Sequence, residues 1–154
     1  MKEIVIRQLA ERGVELMDIA ELVRELQRPY SPNLTPEVCL SMVGAVLEKR
    51  EVQHSILVGI ALDTMAEDGN MLEPLRSIVV EDEPLFGVDE ILALGITNVY
   101  GTIGLTNFGY LDKVKPGILR VLNNHPEKVH TFLDDIVAGI AAAASARIAH
   151  NIFK

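Results

Sequence analysis

Apolar positions recur at helical spacing along most of this chain. Ile19, Leu22, Val23 and Leu26 fall on one face of a helix predicted over Asp18–Arg28, which Pro29 stops. Before it, Lys2–Arg12 reads as a first helix ended at Gly13. The stretch PYSPNLTP, with its three prolines, reads as a loop. Thr35, Pro36 and Glu37 then supply an N-cap, a proline at the first helical position and an acid in the first turn, so a helix should run to about Arg50. Glu51–Asp68 reads as the next helix, capped by Gly69. Leu72–Val80 is apolar and fits either helix or strand. After the acidic turn EDEP, Pro84 should open a helix through Asp89 and Glu90 into a long uncharged region. Gly95, Thr97-Asn98 or Gly101 should break that region into two helices, the second ending near Lys115 before Pro116. A short helical turn and the loop NNHPEK follow, and a last helix should run from about Val129 to near Asn151.

This pattern predicts an all-α, compact single domain of about eight helices over residues 1–154. Composition sharpens the picture. Hydrophobic residues make up 49% of the chain and aromatics 5%, so the core must be aliphatic, which favours helix over sheet. Ile91–Leu111 has no charge and is long enough to cross a bilayer, but it contains four glycines, three threonines and two asparagines. Polar residues are costly in lipid, so a closely packed helix pair is the expectation. Gly59, Gly95, Gly104 and Gly139 read as points of close helix approach. The charged N-terminus lacks a signal peptide's apolar stretch. A net charge of −8 leaves no broad positive footprint, which argues against nucleic acid and allows at most peripheral contact with an anionic membrane. The lone Cys39 excludes an intrachain disulfide and fits a reducing cytoplasm. Apolar surface on the first helices predicts a symmetric homo-oligomer.

The candidate chemistry lies in acids set among apolar residues. On the last helix, Leu133, Ile136, Val137, Ile140, Ala144 and Ile148 form one face, and Ala138, Gly139, Ala142 and Ala146 a small-residue side. Burial on both sides would make Asp134 and Asp135 costly unless they are paired or bound to a cation. Asp89 and Glu90 sit inside another apolar run. Asp112 shares a helical face with Lys115 three residues on. Each has an ordinary reading: first-turn acids that favour a helix N-terminus, or a surface ion pair. Their recurrence on three helices suits Mg²⁺, which takes one or two carboxylates with water and substrate phosphate, and a lysine that holds the phosphate. Such a set suits hydrolysis of a phosphate ester. The four histidines show no zinc spacing; His130, four residues before Asp134, could join the site, though a capping or surface role is the expectation. P-loop, GxGxxG and GxSxG motifs are absent.

The segments FGVDEILALG, FGYLDKVKPGI and HTFLDDIVAG resemble, in order and spacing, three motifs of the phosphatidylglycerophosphatase A family. The resemblance covers about Glu83 to Ala142. It implies a Mg²⁺-dependent lipid phosphatase that converts phosphatidylglycerophosphate to phosphatidylglycerol. It also implies Asp89, Glu90, Asp112, Asp134 and Asp135 as metal ligands, with Asp89, Glu90 and Asp135 catalytic and Lys115 binding the phosphate. Membrane-bound members carry a glycine-rich motif where this chain reads PYSPNLTPEVCLS, and an HGG-type segment where it reads NNHPEKVH. The chain is thus similar to a soluble, YutG-like branch. Two other readings stand beside this one: a helical oligomer that binds a phosphorylated lipid or metabolite without turnover, and an all-α nucleotide pyrophosphatase, whose paired ExxE spacing is not found here.

Overall fold

The computed structural model describes residues 1–152. They form nine α-helices: α1 (Lys2–Glu11), α2 (Leu16–Gln27), α3 (Pro36–Val46), α4 (Arg50–Glu67), α5 (Leu75–Glu81), α6 (Val88–Thr97), α7 (Gly101–Val114), α8 (Ile118–Asn123) and α9 (Leu133–Ile152). A single 3-10 turn, Asn98–Tyr100, separates α6 from α7. There is no strand among the described residues.

Local signals account for the starts of α2 and α3. Glu15 and Asp18 cap the start of α2 reciprocally, the Glu15 N–H donating to Asp18 Oδ2 at 2.8 Å. Thr35 Oγ1 accepts from the Val38 N–H at 3.3 Å, and Pro36 follows at the first helical position. Some expected boundaries moved. The helix opened by Thr35 ends at Val46, and Lys49 in extended conformation caps a new one. Pro84 does not open α6, because Leu85 and Gly87 both take left-handed φ values of 66° and 74° and hold the chain in a turn until Val88. The ambiguous apolar stretch after Leu72 is helical, as α5.

α9 is the hub. Every residue from His130 to Ala146 is buried, and the helix packs against α2, α3, α4, α6, α7 and α8. Small residues make this possible. A Cβ on Gly139 would lie 3.1 Å from the Ala93 carbonyl oxygen and 3.3 Å from its Cα, so α6 approaches α9 at backbone distance. Gly59 of α4 instead leaves room for the Ile136 side chain of α9, and a Cβ on Gly104 would lie 3.1 Å from the Thr97 carbonyl oxygen. Gly95 differs from expectation: it is exposed, with nothing near its absent side chain. Val88–Val114 is long and apolar enough to cross a membrane by length and composition. The break at Asn98–Tyr100 divides it, and both halves lie on α9 with outer residues such as Ile91 and Leu105 exposed.

The start of α9 is tied down from a distance. Asp63, fully buried on α4, accepts the Phe132 N–H at 3.0 Å and the Leu133 N–H at 2.9 Å. These are donors that a helix N-terminus leaves unpaired. Nearby, Arg12, the C-cap of α1, donates to Glu67 Oε2 at 2.9 Å and to the Val129 carbonyl at 2.6 Å, while the Val129 N–H donates to Glu67 at 2.8 Å. Val129–Phe132 is therefore an anchored lead-in, and α9 begins at Leu133 rather than at Val129. Asp63→Ala would strand two buried N–H groups at about 1–3 kcal/mol each, so we expect unfolding free energy to fall by about 2–4 kcal/mol. Denaturant titration reads this as a lower midpoint at unchanged slope. An unchanged midpoint would mean that packing alone holds the first turn of α9.

Candidate active site

Four segments bring acids to one cleft of about 220 Å³. Asp82, the C-cap of α5, takes the left-handed conformation, with φ 49° and ψ 56°. Asp89 and Glu90 lie in the first turn of α6, and Asp134 and Asp135 in the first turn of α9, where a helix N-terminus favours negative charge. Asp112 lies near the end of α7, and Lys115 is its C-cap, left-handed at φ 47°. All six residues singled out in the sequence thus line the same cleft, together with Asp82 and the loop Glu83–Gly87. The non-glycine residues with positive φ among the described residues are Asp82, Leu85 and Lys115, and all three line it. A left-handed residue with a Cβ costs roughly 1–2 kcal/mol. Strain of this kind collects at functional sites.

Lys115 stands at the centre. Its Nζ donates to Asp134 Oδ2 at 2.9 Å and to Asp112 Oδ1 at 3.1 Å, with Asp135 Oδ1 at 3.9 Å. The Asp135 N–H donates to Asp134 Oδ1 at 2.8 Å. Burial lowers the proton affinity of Lys115, but the carboxylates of Asp134 and Asp112 outweigh it and leave the ammonium firmly charged. One ammonium does not balance this many carboxylates. Asp134 and Asp135 are each only 4% exposed. Burial pushes both above the ordinary carboxylate range. Lys115 restrains Asp134, whereas Asp134, Asp112 and Asp89 drive Asp135 higher still. Asp89 Oδ1 is buried without any partner.

Sequence reasoning missed two residues that shape this region and gave a third the wrong setting. Asp82 was legible only as part of an acidic turn. Asp63 follows Ile56, Gly59 and Ile60 at helical spacing on the buried face of α4, and that spacing was a usable signal. His130 is neither a cap nor a surface residue. It is buried, with Nδ1 3.0 Å from the Leu122 carbonyl oxygen.

A profile of the family described as phosphatidylglycerophosphatase A matches residues 19–150. The chain belongs to the phosphatidylglycerophosphatase A family. It is 55% identical over 151 residues to the uncharacterized protein YpjQ of Bacillus subtilis, covering 98% of this chain and 85% of that one. It is 56% identical over 145 residues to YutG of the same organism, covering 94% and 87%. This places it with the YutG-like branch. The crystal structure of the low temperature requirement C protein from Listeria monocytogenes, 57% identical, superposes with a TM-score of 0.97 over 99% of this chain and 97% of that one. The all-α fold is therefore shared with a solved relative. The segment that departs from the glycine-rich motif of membrane-bound family members lies in the α2–α3 loop and early α3, and none of its residues lines the acid cleft.

Family membership points to a phosphatase, and the resemblance to Mg²⁺ as its cofactor. The residues present fit that ion. The cleft is lined by hard oxygen donors, holds an orphaned buried carboxylate oxygen on Asp89, and carries more negative charge than Lys115 compensates. Among the described residues no group of three His, Cys, Asp or Glu side chains is arranged to hold one ion. An ion that takes one or two carboxylates and completes its sphere with water and phosphate does not require one.

The charge crowding has a measurable sign. An acid whose folded-state pKa is raised contributes stability that is present below its unfolded value, near 3.9 for Asp, and is lost as pH rises through the raised value. Asp135 is therefore a growing burden toward alkaline pH when no cation is bound. Asp135→Asn should melt above the wild type at pH 8 in EDTA and close to it at pH 5. Millimolar Mg²⁺ should raise the melting temperature of the wild type far more than that of the variant. Parallel curves for the two proteins across this range would contradict the crowding.

Proposed function

We propose that this protein is a Mg²⁺-dependent phosphatase that hydrolyses a phosphate monoester, with phosphatidylglycerophosphate as substrate and phosphatidylglycerol as product. The observation that carries the reading is the convergence of Asp89, Glu90, Asp112, Asp134 and Asp135 on one cleft around Lys115. Asp89, Glu90, Asp112, Asp134 and Asp135 are the groups among which Mg²⁺ would find its ligands. When bound, the ion supplies polarisation of the phosphoryl oxygens and neutralises charge as the P–O bond breaks.

The chain's own groups do the rest. Lys115 releases Asp134 and Asp112 and turns its ammonium to a phosphoryl oxygen, a point charge on a flexible stem. In this reading Asp89 or Glu90 would accept a proton from the attacking water, whose oxygen bonds to phosphorus as the P–O bond to the alkoxide breaks, and Asp135, whose carboxyl keeps its proton in the crowded cleft, would give that proton to the leaving alkoxide. Leu85, fully exposed on the loop that lines the cleft, offers apolar surface for the lipid part of the substrate. We place the protein in the cytoplasm, acting as a homo-oligomer with peripheral membrane contact. The crowded, unbalanced carboxylates favour turnover over simple binding. A pure phosphate-binding site would present cations rather than acids.

Release of inorganic phosphate from phosphatidylglycerophosphate in mixed micelles tests the reading. Asp135→Asn should lower kcat by about 10²–10⁴, the range of a positioned proton-transfer group, and EDTA should abolish turnover. Lys115→Met should raise KM with a smaller effect on kcat. Turnover unaffected by EDTA, or by Asp135→Asn, would refute it.

A further inference from the structure

The most apolar part of this chain is left largely uncovered. Ile91–Leu111 contains no charged residue, yet only 28% of the most apolar stretch within Val88–Val114 is buried. α6 and α7 each turn one side to α9 and leave the other open, and they also touch each other. On the open side of α6, Ile91 is 61% exposed, with Gly95 and then Val99 following at helical spacing. On α7, Leu105 and Gly109 are exposed four residues apart. The two stripes form one uncharged face.

Two glycines on this face serve nothing within the chain. Gly95 and Gly109 lie inside α6 and α7, and no neighbour comes within 4 Å of the Cβ that either lacks. Glycine in an exposed helix interior weakens the helix relative to alanine. Gly139 shows what such a position can do: there the absent side chain lets the backbone of α6 lie directly on α9. A helix arriving from outside would use Gly95 and Gly109 in the same way. Water and lipid tails need no glycine.

Charge decides what that helix belongs to. The chain carries −8, so two copies meet closely only where carboxylates do not oppose one another. α1 and α2, where the sequence predicts self-association, expose Glu3, Glu11, Glu21 and Glu25. The α6–α7 face has no charge between Glu90 and Asp112. A basic partner finds no carboxylate there, and an anionic membrane finds no lysine or arginine. What matches it is a second uncharged helical face, and a two-fold contact supplies one.

We infer that the outer face of α6 and α7 is the contact between two copies of this chain, a symmetric dimer in which Ile91 and Leu105 of each copy pack against the backbone exposed at Gly95 and Gly109 of the other. The inference rests on the homo-oligomer of the functional reading and gives it a surface; it does not use the phosphatase chemistry. Glu90 and Asp112, which bound the face, also line the acid cleft, so each cleft opens at the edge of the contact.

Sedimentation velocity of the full chain across micromolar concentrations tests this, and the wild type should sediment as a dimer. Ile91→Glu combined with Leu105→Glu changes two exposed side chains and sets like charges against each other. It should raise the dimer dissociation constant by about 100-fold or more. Gly95→Leu combined with Gly109→Leu should weaken the dimer by about tenfold or more. Introduced into the glutamate variant, which is monomeric, the same two leucines should raise the melting temperature by a few degrees, because helix propensity improves where nothing is in contact. A wild type that stays monomeric, a dimer that survives the glutamates, or leucines that stabilise the helices without weakening the dimer would overturn the inference. So would a monomer that pellets with phosphatidylcholine vesicles and loses that binding with the glutamates, which would assign the face to lipid. A dimer that releases no phosphate from phosphatidylglycerophosphate would count against the phosphatase reading and leave the contact standing, and a monomer that releases it would do the reverse.

Discussion

The grip of Asp63 on the first turn of α9 is the interaction on which the rest of the site depends. The two carboxylate oxygens of a buried residue on α4 hold the Phe132 and Leu133 amides. Burial raises the Asp63 carboxyl to about 7, against the opposing pull of those two N–H groups and of Arg12. The cost of burying that carboxyl is offset by what it locates. Asp134 and Asp135 follow immediately, and their direction is set by where the helix begins. The close approach of α6 at Gly139 then brings Asp89 and Glu90 alongside, and α7 brings Asp112 and Lys115. A helix start displaced by one residue would turn the paired acids by about 100°, from the 3.6 residues of a helical turn.

The cleft built this way is poorly balanced in charge, and that imbalance separates it from a structural ion-pair network. Lys115 reaches two carboxylates at hydrogen-bond distance and a third at 3.9 Å, yet Asp135 keeps a strong hold on its proton and Asp89 keeps an orphaned oxygen. The left-handed backbone at Asp82, Leu85 and Lys115 adds a local cost at the same place. Stability is sacrificed where a divalent cation and a phosphate would restore it.

Much of this was legible in the sequence, for identifiable reasons. Helical periodicity, the Thr35-Pro36 start and the break near Asn98 are local signals, and the structure follows them. The acids at Asp89-Glu90, Asp112 and Asp134-Asp135 stood out because each interrupts an apolar or small-residue face. Their meeting in one cleft depends on tertiary approach through Gly139 and Gly59, which periodicity can suggest but not orient. The late start of α6 could not be read, since it turns on left-handed geometry at Leu85, a residue that rarely adopts it. Asp63 rests on partners 69 and 70 positions away in the chain, and the burial of His130 on the turn that folds it back to Leu122.

The central claim is that these acids hold a divalent cation. Anomalous diffraction from crystals soaked in Mn²⁺, which takes the place of Mg²⁺ at oxygen sites, tests it most directly. The account predicts a peak in the cleft about 2.1–2.2 Å from at least two oxygens among Asp89, Asp112, Asp134 and Asp135, with the Lys115 ammonium moved away from Asp134. A cleft without a peak, and Lys115 still bonded to Asp134 and Asp112, would contradict it.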